Sequence, residues 1–226
     1  MGSDGPAGPI VAIHVSPSGD DANDGLTLPV KTLKHAVALA AANTQITQIV
    51  LATGTYSAGS GETFPYIVPS NVTIVGPGDG GAVLVGSKTE PGVTVDAGGL
   101  QDLDLQDFAT AITVTGTANL KNIRVRTSTI AVQAEATASL TVNNLDITGI
   151  AVTGTSPCST GIALNGAAKL VAMTMSTREL GTHSGCQRSE CRSYCKCDHI
   201  WKSDLFKLCA HIGYIDGQLQ LERQRS

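Results

Sequence analysis

A short pattern of apolar residues recurs four times in this chain and restricts its fold more than any other feature. The pattern is apolar-x-x-apolar-x-apolar, and it occurs at Leu100–Leu105, Leu120–Val125, Val142–Ile147 and Leu170–Met175. The four segments begin 20, 22 and 28 residues apart. Short strands at such a spacing predict a solenoid, in which successive coils stack and bury a continuous core.

Turn residues, rather than helix patterns, lie between these segments. Second strands accompany three of the repeats and begin at Ala111, Ile130 and Gly161. Alternating α/β units would need helices between the strands, and Gly, Thr, Asn and Asp occupy those positions instead. The sequence therefore predicts an all-β parallel β-helix of about six coils, from about Gln45 to Met175. The side chains that should point inward and stack are Leu103, Leu105, Ile123, Val125, Leu145 and Ile147.

One helix is predicted ahead of the repeats. The segment VKTLKHAVALAAANT is rich in Ala and Leu and follows Pro29. Thr32 is a suitable N-cap, because its hydroxyl can accept a bond from a free N–H of the first turn. A solenoid must cover the open end of its first coil. We therefore expect a capping helix at about Thr32–Asn43.

Charge and hydropathy exclude two classes of partner. The net charge of −4 argues against nucleic acid, because phosphate neutralisation needs a basic surface. The most apolar run, HAVALAAA, has less than half of the ~20 residues that a membrane span requires. No signal peptide opens the chain, and we interpret residues 1–12, which are rich in Gly and Pro, as a linker or a cloning remnant.

The composition changes near residue 170. Up to residue 168 the chain has 6 Lys or Arg and 13 Asp or Glu, whereas the remainder has 9 and 6. Five of the 6 Cys also lie in the remainder. We therefore predict a β-helix domain at 13–175 and an atypical Cys-rich tail at 176–226.

Three interpretations of the tail stay open. It is a metal or disulfide module, an ordinary extension, or a segment read in a shifted frame, since each Cys codon read one base later encodes Val or Ala. The repeated Cys-x-x-Cys spacing of zinc modules is absent. We expect residues 177–200 to be irregular and Leu205–Ile215 to dock on the last coil. The candidate metal ligands of the tail are Cys186, Cys191, Cys195, Cys197 and His199.

Two long stretches carry a family resemblance. They are VSPSGDDANDGLTLPVKTLKHAVALA and IVLATGTYSAGSGETFPYIVPSNVTIVGPG. Together they resemble the N-terminal signature of a bacterial family of pectate-lyase-like right-handed parallel β-helices, catalogued as a domain of unknown function. The resemblance covers roughly residues 13–78, and the tail after about residue 175 departs from it. It implies a right-handed coil and an extracellular or cell-surface location, with relatives that include polysaccharide lyases, glycoside hydrolases and non-catalytic surface proteins.

The Asp-rich loop within the first stretch is a candidate calcium site. Its carboxylates belong to Asp20, Asp21 and Asp24. An EF-hand loop that began at Asp20 would need an oxygen ligand at its third position and Glu at its twelfth, where Ala22 and Lys31 stand. Asp and Asn also bond to their own backbone in tight turns. The sequence favours the turn, with calcium as the alternative.

A second acidic candidate is Glu62, in the segment GETFP. Glycosidases use two carboxylates on opposite sides of one bond, and no partner for Glu62 is evident in the sequence. We expect its loop to order the first coil, with Phe64 and Tyr66 packed.

The third candidate follows from stacking. Alignment of the repeats places Asp104, Arg124 and Asp146 at one outward position of successive coils, about 4.8 Å apart. Lyases among the relatives that this resemblance implies bind calcium with Asp residues and use a basic residue to abstract a proton, and the three residues match that arrangement in outline. Flanking carboxylates keep Arg124 protonated, however, which favours an exposed ion-pair ladder. Lys121 is a weaker candidate base, and Asp102, Asn122 and Asn144 should stack at a corner in the same way.

We therefore expect a non-catalytic extracellular or cell-surface β-helix that presents a stacked face to a glycan or a partner protein. The alternative is a calcium-dependent polysaccharide lyase of the pectate type. The sequence predicts no cofactor unless calcium binds.

Overall fold

The structure is a computed structural model that describes residues 11–148, 160–172, 175–178, 213–215 and 218–220. These residues are mostly β, with one sheet of 13 strands, one α-helix and one short 3-10 helix at Ala58–Ser60. Every pairing within the large sheet is parallel. The expectation of a mostly β chain with parallel strands is confirmed.

The elements follow in this order: β1 (Val11–Val15), α1 (Leu33–Ala42), β2 (Ile46–Leu51), β3 (Gly54–Ser57), β4 (Tyr66–Val68), β5 (Val72–Val75), β6 (Ala82–Val85), β7 (Pro91–Gln106), β8 (Thr110–Arg126), β9 (Ile130–Ala134), β10 (Ser139–Thr148), β11 (Thr160–Leu164), β12 (Lys169–Ala172), β13 (Met175–Arg178), β14 (Gly213–Ile215) and β15 (Gln218–Gln220).

The strands of the large sheet pair in three rows, which the chain visits in a repeated order. The first row contains β1, β2, β5 and β12 together with segments of β7, β8 and β10. The second row contains β3, β6 and β13 with the last segments of β7, β8 and β10. The third row contains β4, β9 and β11 with the first segments of β7 and β8. This order is consistent with an all-β solenoid.

Alternation along the strands builds the core between the rows. In the second row Leu103 pairs with Ile123 and Ile123 with Leu145, so equivalent side chains lie on one another in successive coils. Burial of an aliphatic side chain of this size stabilises a fold by about 1.5–3 kcal/mol. All six side chains that were predicted to point inward are buried, which confirms that prediction: Leu103, Leu105, Ile123, Val125, Leu145 and Ile147.

A polar ladder forms the corner between the first and second rows. Asp102, Asn122 and Asn144 have φ values of 56°, 51° and 65°. Asn and Asp tolerate this left-handed conformation better than other residues with a Cβ. Asn122 Nδ2 donates to Asp102 Oδ1 at 2.7 Å, and Asn144 Nδ2 donates to Asn122 Oδ1 at 3.2 Å. The predicted stack is therefore present, and it turns the chain with one residue in each coil.

The alignment of the fourth repeat was wrong by two residues. Leu170 was aligned with Val142, but it pairs with Leu140, and Ala172 pairs with Val142. A shift of two positions leaves the inward and outward alternation intact, so the apolar pattern alone could not reveal it. The parallel pairing also continues through β13 to Arg178, beyond the predicted end of the repeats at Met175.

The N-terminal edge of the sheet is closed by a loop together with α1. Thr32 caps the helix, since its hydroxyl accepts a bond from the N–H of His35. The strand edge of β1 pairs with the loop between β1 and α1: His14 N–H donates to the carbonyl of Gly25, and Val30 N–H donates to the carbonyl of His14. The helix was predicted, whereas the pairing of the loop with β1 was not.

Most of the predicted tail lies outside the described residues. This applies to Cys186, Cys191, Cys195, Cys197 and His199, and to most of Leu205–Ile215. Strands β14 and β15 form an antiparallel pair. The domain boundaries at residues 12 and 175 stay predictions. No helix in the described part of the chain is long and apolar enough to cross a membrane.

The corner ladder gives a first testable prediction. Replacement Asn122→Ala removes two hydrogen bonds and leaves a Cβ at positive φ, so we expect a loss of about 2–3 kcal/mol in the free energy of unfolding. Asn122→Gly removes the same bonds without the backbone penalty and should cost less. Urea denaturation measures both values, with Asn143→Ala as an exposed control that should change little. Equal losses for the Ala and Gly variants would contradict this account of the corner.

Candidate functional site

A row of charged side chains projects from the outward side of the second row. Asp104, Arg124 and Asp146 occupy one register position in three successive coils. Two residues further along, Arg126 pairs in register with Gln106. We call Asp104, Arg124, Arg126 and Asp146 the charged row.

The charged row is a connected set of ion pairs centred on Asp104. The Nη1 atom of Arg124 lies 3.1 Å from Asp104 Oδ2, and the Nη2 atom of Arg126 bonds to the same oxygen. On its other side, Arg124 Nε lies 3.9 Å from Asp146 Oδ2. The predicted ladder of Asp104, Arg124 and Asp146 is therefore formed, with Arg126 as an additional member that the sequence reasoning missed. Arg124 and Arg126 are two residues apart on one strand, and this alternation was the available signal.

Asp104 is buried, contrary to the expectation of an exposed ladder. Its side chain is only 4% exposed, whereas those of Arg124 and Arg126 are 39% and 40% exposed. The turn at residues 77–81 approaches it from outside: a Cβ placed on Gly80 would lie 2.9 Å from Arg124 Nη1 and 3.1 Å from Asp104 Oδ2. Burial by this turn could not be inferred from the repeat, because later coils replace the turn with a single corner residue.

The arrangement of the charged row favours a structural role over a role as a general base that abstracts a proton. A general base must lose its proton, and a carboxylate beside a guanidinium stabilises the protonated, charged form of that guanidinium. Arg124 has a carboxylate on each side. Among the described residues, no three or more His, Cys, Asp or Glu side chains are grouped so that they could hold a metal ion.

The three carboxylates of the Asp-rich loop accept bonds from the backbone. Asp20 accepts from Ala22 N–H, and Asp24 accepts from the N–H groups of Leu26 and Thr27. These contacts are the turn bonds that the sequence favoured. The calcium alternative at Asp20, Asp21 and Asp24 stays a prediction.

Asp21 makes the longest-range contacts of this loop. It accepts bonds of 2.8 Å from Lys31 N–H, Thr32 N–H and the Thr32 hydroxyl. Burial raises the pKa of Asp21, but the bonds from Thr32 and Lys31 together outweigh it, so the pKa lies below its usual value. Asp21 therefore ties the Asp-rich loop to the start of α1 in its charged form.

Glu62 is a buried structural carboxylate. It accepts bonds from Leu33 N–H at 2.8 Å, Lys34 N–H at 3.2 Å and the Tyr66 hydroxyl at 2.6 Å. Two of these donors are free N–H groups in the first turn of α1, where a negative charge is also favoured by the helix dipole. Burial, and then the charge of Glu62, raise the pKa of Tyr66. Phe64 packs on Tyr66 with ring centroids 4.8 Å apart, as expected for an ordering role.

A second outward surface is polar, and its side chains are not paired with the described residues. Asn119, Lys121, Thr141 and Asn143 project from the first row, with Asn119 beside Thr141 and Lys121 beside Asn143. Asn119, Lys121 and Asn143 are exposed. Their side chains make no hydrogen bond or ion pair with any residue that the structure describes. We call these four residues the polar strip; the sequence reasoning had considered only Lys121, as a base.

Comparison with known proteins gives one family match. The model of a family described as "Protein of unknown function (DUF1565)" matches residues 17–188. The match includes the Asp-rich loop, Glu62 and the charged row, and it continues beyond residue 175, where a departure was expected. No curated protein and no solved structure matches the chain.

The lowered pKa of Asp21 predicts a pH-dependent contribution to stability. The contribution should be complete above the unfolded pKa of about 3.9 and should be lost as the pH falls through the lower folded pKa. Asp21→Asn should therefore reduce the free energy of unfolding at neutral pH, and its difference from wild type should shrink in acid. Denaturant titrations over a pH series measure this, with Asp20→Asn as the control. A difference that does not vary with pH would contradict the assignment.

Burial of Asp104 predicts unequal effects within the charged row. Asp104→Asn leaves two guanidinium groups without their shared carboxylate and should lower the free energy of unfolding by about 1–3 kcal/mol. Asp146→Asn removes a longer and more exposed pair and should cost about 0–1 kcal/mol. Thermal and urea unfolding compare the two variants. A larger loss for Asp146→Asn than for Asp104→Asn would overturn this order.

Proposed function

We propose that this chain, which belongs to the family of proteins of unknown function DUF1565, is a non-catalytic, pectate-lyase-like right-handed β-helix. We place it outside the cell or on the cell surface, where its polar strip contacts a glycan or a partner protein. The observation that carries the proposal is the contrast between the two outward surfaces. The charged row is internally paired, and the polar strip makes no such pairs with the described residues.

The order of the strands supports the β-helix. From β2 onward the described strands pass through the three rows in the same sequence, and equivalent residues pair in parallel from coil to coil. Parallel strands joined by a crossover in one sheet are almost always connected with right-handed geometry. The one-residue corners at Asp102, Asn122 and Asn144 are suited to a chain that turns at the same place in every coil.

The pairing of the charged row argues for a non-catalytic role. Asp104 is buried, and its Oδ2 atom is paired with two guanidinium groups. Arg124 lies between two carboxylates and is ion-paired with both. The rival proposal, a calcium-dependent polysaccharide lyase, needs the same carboxylates as calcium ligands and a neutral base beside them.

The polar strip has features of a recognition surface. Its amide, hydroxyl and ammonium groups offer donors and acceptors that repeat from coil to coil at about 4.8 Å. The strands beneath it are fixed by the sheet, so these groups can bind without the cost of ordering the backbone. A polysaccharide, whose hydroxyl groups also repeat along a chain, is the simplest complementary ligand, and a cell-surface protein is the alternative.

Two assays test the proposal. The purified protein is incubated with polygalacturonate and calcium, and the ultraviolet absorbance of unsaturated uronate is followed. We expect no turnover, because Arg124 is paired with two carboxylates and Asp104 with two guanidinium groups. Turnover that disappears in Asp104→Asn, Arg124→Gln or Asp146→Asn would establish the lyase instead.

Binding is measured on a panel of immobilised polysaccharides and on intact bacterial surfaces. We expect retention that is reduced at least several-fold by Lys121→Ala or Asn143→Ala. Lys88→Ala is the matched control, since it removes an exposed lysine from another part of the surface. Retention that Lys88→Ala reduces as strongly as Lys121→Ala would show that the polar strip is not the contact surface.

A further inference from the structure

The turn between β11 and β12 contains a chemical feature that the proposed function does not use. Asn165 is followed by Gly166, and none of the other Asn residues of the chain precedes a glycine. An Asn side chain can react with the backbone nitrogen of the next residue. A following glycine favours this reaction, because it has no Cβ to obstruct the approach and its backbone rotates freely.

The turn leaves the reacting atoms accessible. Asn165 and Gly166 are both exposed. The N–H groups of Asn165 and Ala167 donate to the carbonyls of Ala134 and Ala136, both at 2.9 Å. The N–H of Gly166 donates to no acceptor within the described residues. Within the described part of the chain the nucleophilic nitrogen therefore has no acceptor, while the residues on both sides are hydrogen-bonded to the neighbouring coil.

The surroundings of the turn permit the movement that the reaction needs. Strands β11 and β12 each pair with one neighbour among the described strands, β9 and β10 respectively. A strand with few hydrogen-bonded neighbours opens more easily than one paired on both sides, because fewer hydrogen bonds must break. The Asn165 carboxamide is itself held by one bond, from Nδ2 to Glu135 Oε2 at 3.3 Å.

We propose that Asn165 is a site of spontaneous deamidation in the folded protein. The Gly166 nitrogen loses its proton and attacks Cγ of Asn165, and a C–N bond forms. The bond from Cγ to Nδ2 then breaks, and Nδ2 leaves with the proton as ammonia. Water opens the resulting succinimide at either carbonyl and yields aspartate or isoaspartate.

The product places a new negative charge beside Glu135. Before the reaction, the Asn165 carboxamide donates to Glu135, which also accepts a bond of 2.6 Å from Gln133 Nε2. A carboxylate at position 165 loses its donor and faces a like charge at hydrogen-bond distance, which is destabilising. Because the reaction does not reverse, the modified form accumulates with the age of the protein and loosens the contact between these two coils.

The test follows every Asn in one sample. The folded full-length chain is kept in mildly alkaline buffer beside a synthetic peptide of residues 160–170, until half of the peptide has deamidated. Peptide mapping by mass spectrometry, with isoaspartate detection, then measures conversion at each Asn. We expect Asn165 to convert several-fold more than any other Asn of the folded chain, among them Asn71 and Asn122, which lie at positive φ. An unmodified Asn165 beside a converted peptide would overturn the proposal, as would faster conversion elsewhere.

Two variants separate the chemistry from its consequence. Asn165→Gln lengthens the side chain, disfavours the five-membered ring and should abolish conversion at this position. Asn165→Asp imitates one product and should lower the melting temperature, and the added replacement Glu135→Gln should restore it. A melting temperature that Asn165→Asp leaves unchanged would overturn the proposed loosening of the coils.

Discussion

In-register parallel stacking is the constraint on which the rest of this structure depends. Because Leu103 lies against Ile123 and Ile123 against Leu145, one register places apolar side chains on top of one another in every coil. The same register fixes the opposite side of each strand, where Asp104, Arg124 and Asp146 meet. A slip by one residue would expose the core and bury the charges together. Core packing and the charged row are thus two consequences of one alignment.

The N-terminal segment that carries the family resemblance covers the first strand of the stack. A solenoid exposes strand edges at its first coil, and such edges pair with other chains unless they are covered. Here the loop that follows β1 pairs with it through Gly25 and Val30, and α1 packs beside it. Asp21 and Glu62 fasten this cover, because both carboxylates accept backbone N–H groups at the start of α1. Asp21 and Glu62, which first suggested a metal or catalytic site, therefore fix the loop and α1 over the first strand.

The local rules of the strands made much of this predictable. Period-two alternation identified the inward residues, and the stacking of Asp and Asn side chains between repeats identified the corner at Asn122. The features that were missed depend on distant parts of the chain. Burial of Asp104 requires the turn around Gly80. The hydrogen bond from Thr32 N–H to Asp21 requires the Asp-rich loop to fold back on the start of the helix. The register of Leu170 depends on the number of residues in the preceding coil. The alternation of inward and outward residues carries no information about that number.

Amide hydrogen exchange is the most direct test of the claim that the polar N-terminal residues close the first coil. The backbone N–H groups of His14, Ser16 and Val30 join β1 to the loop. The account predicts that they exchange as slowly as interior strand amides such as that of Leu105, and that Asp21→Asn accelerates them selectively. Exchange of these three amides at the rate of an open turn in the wild-type protein would contradict it.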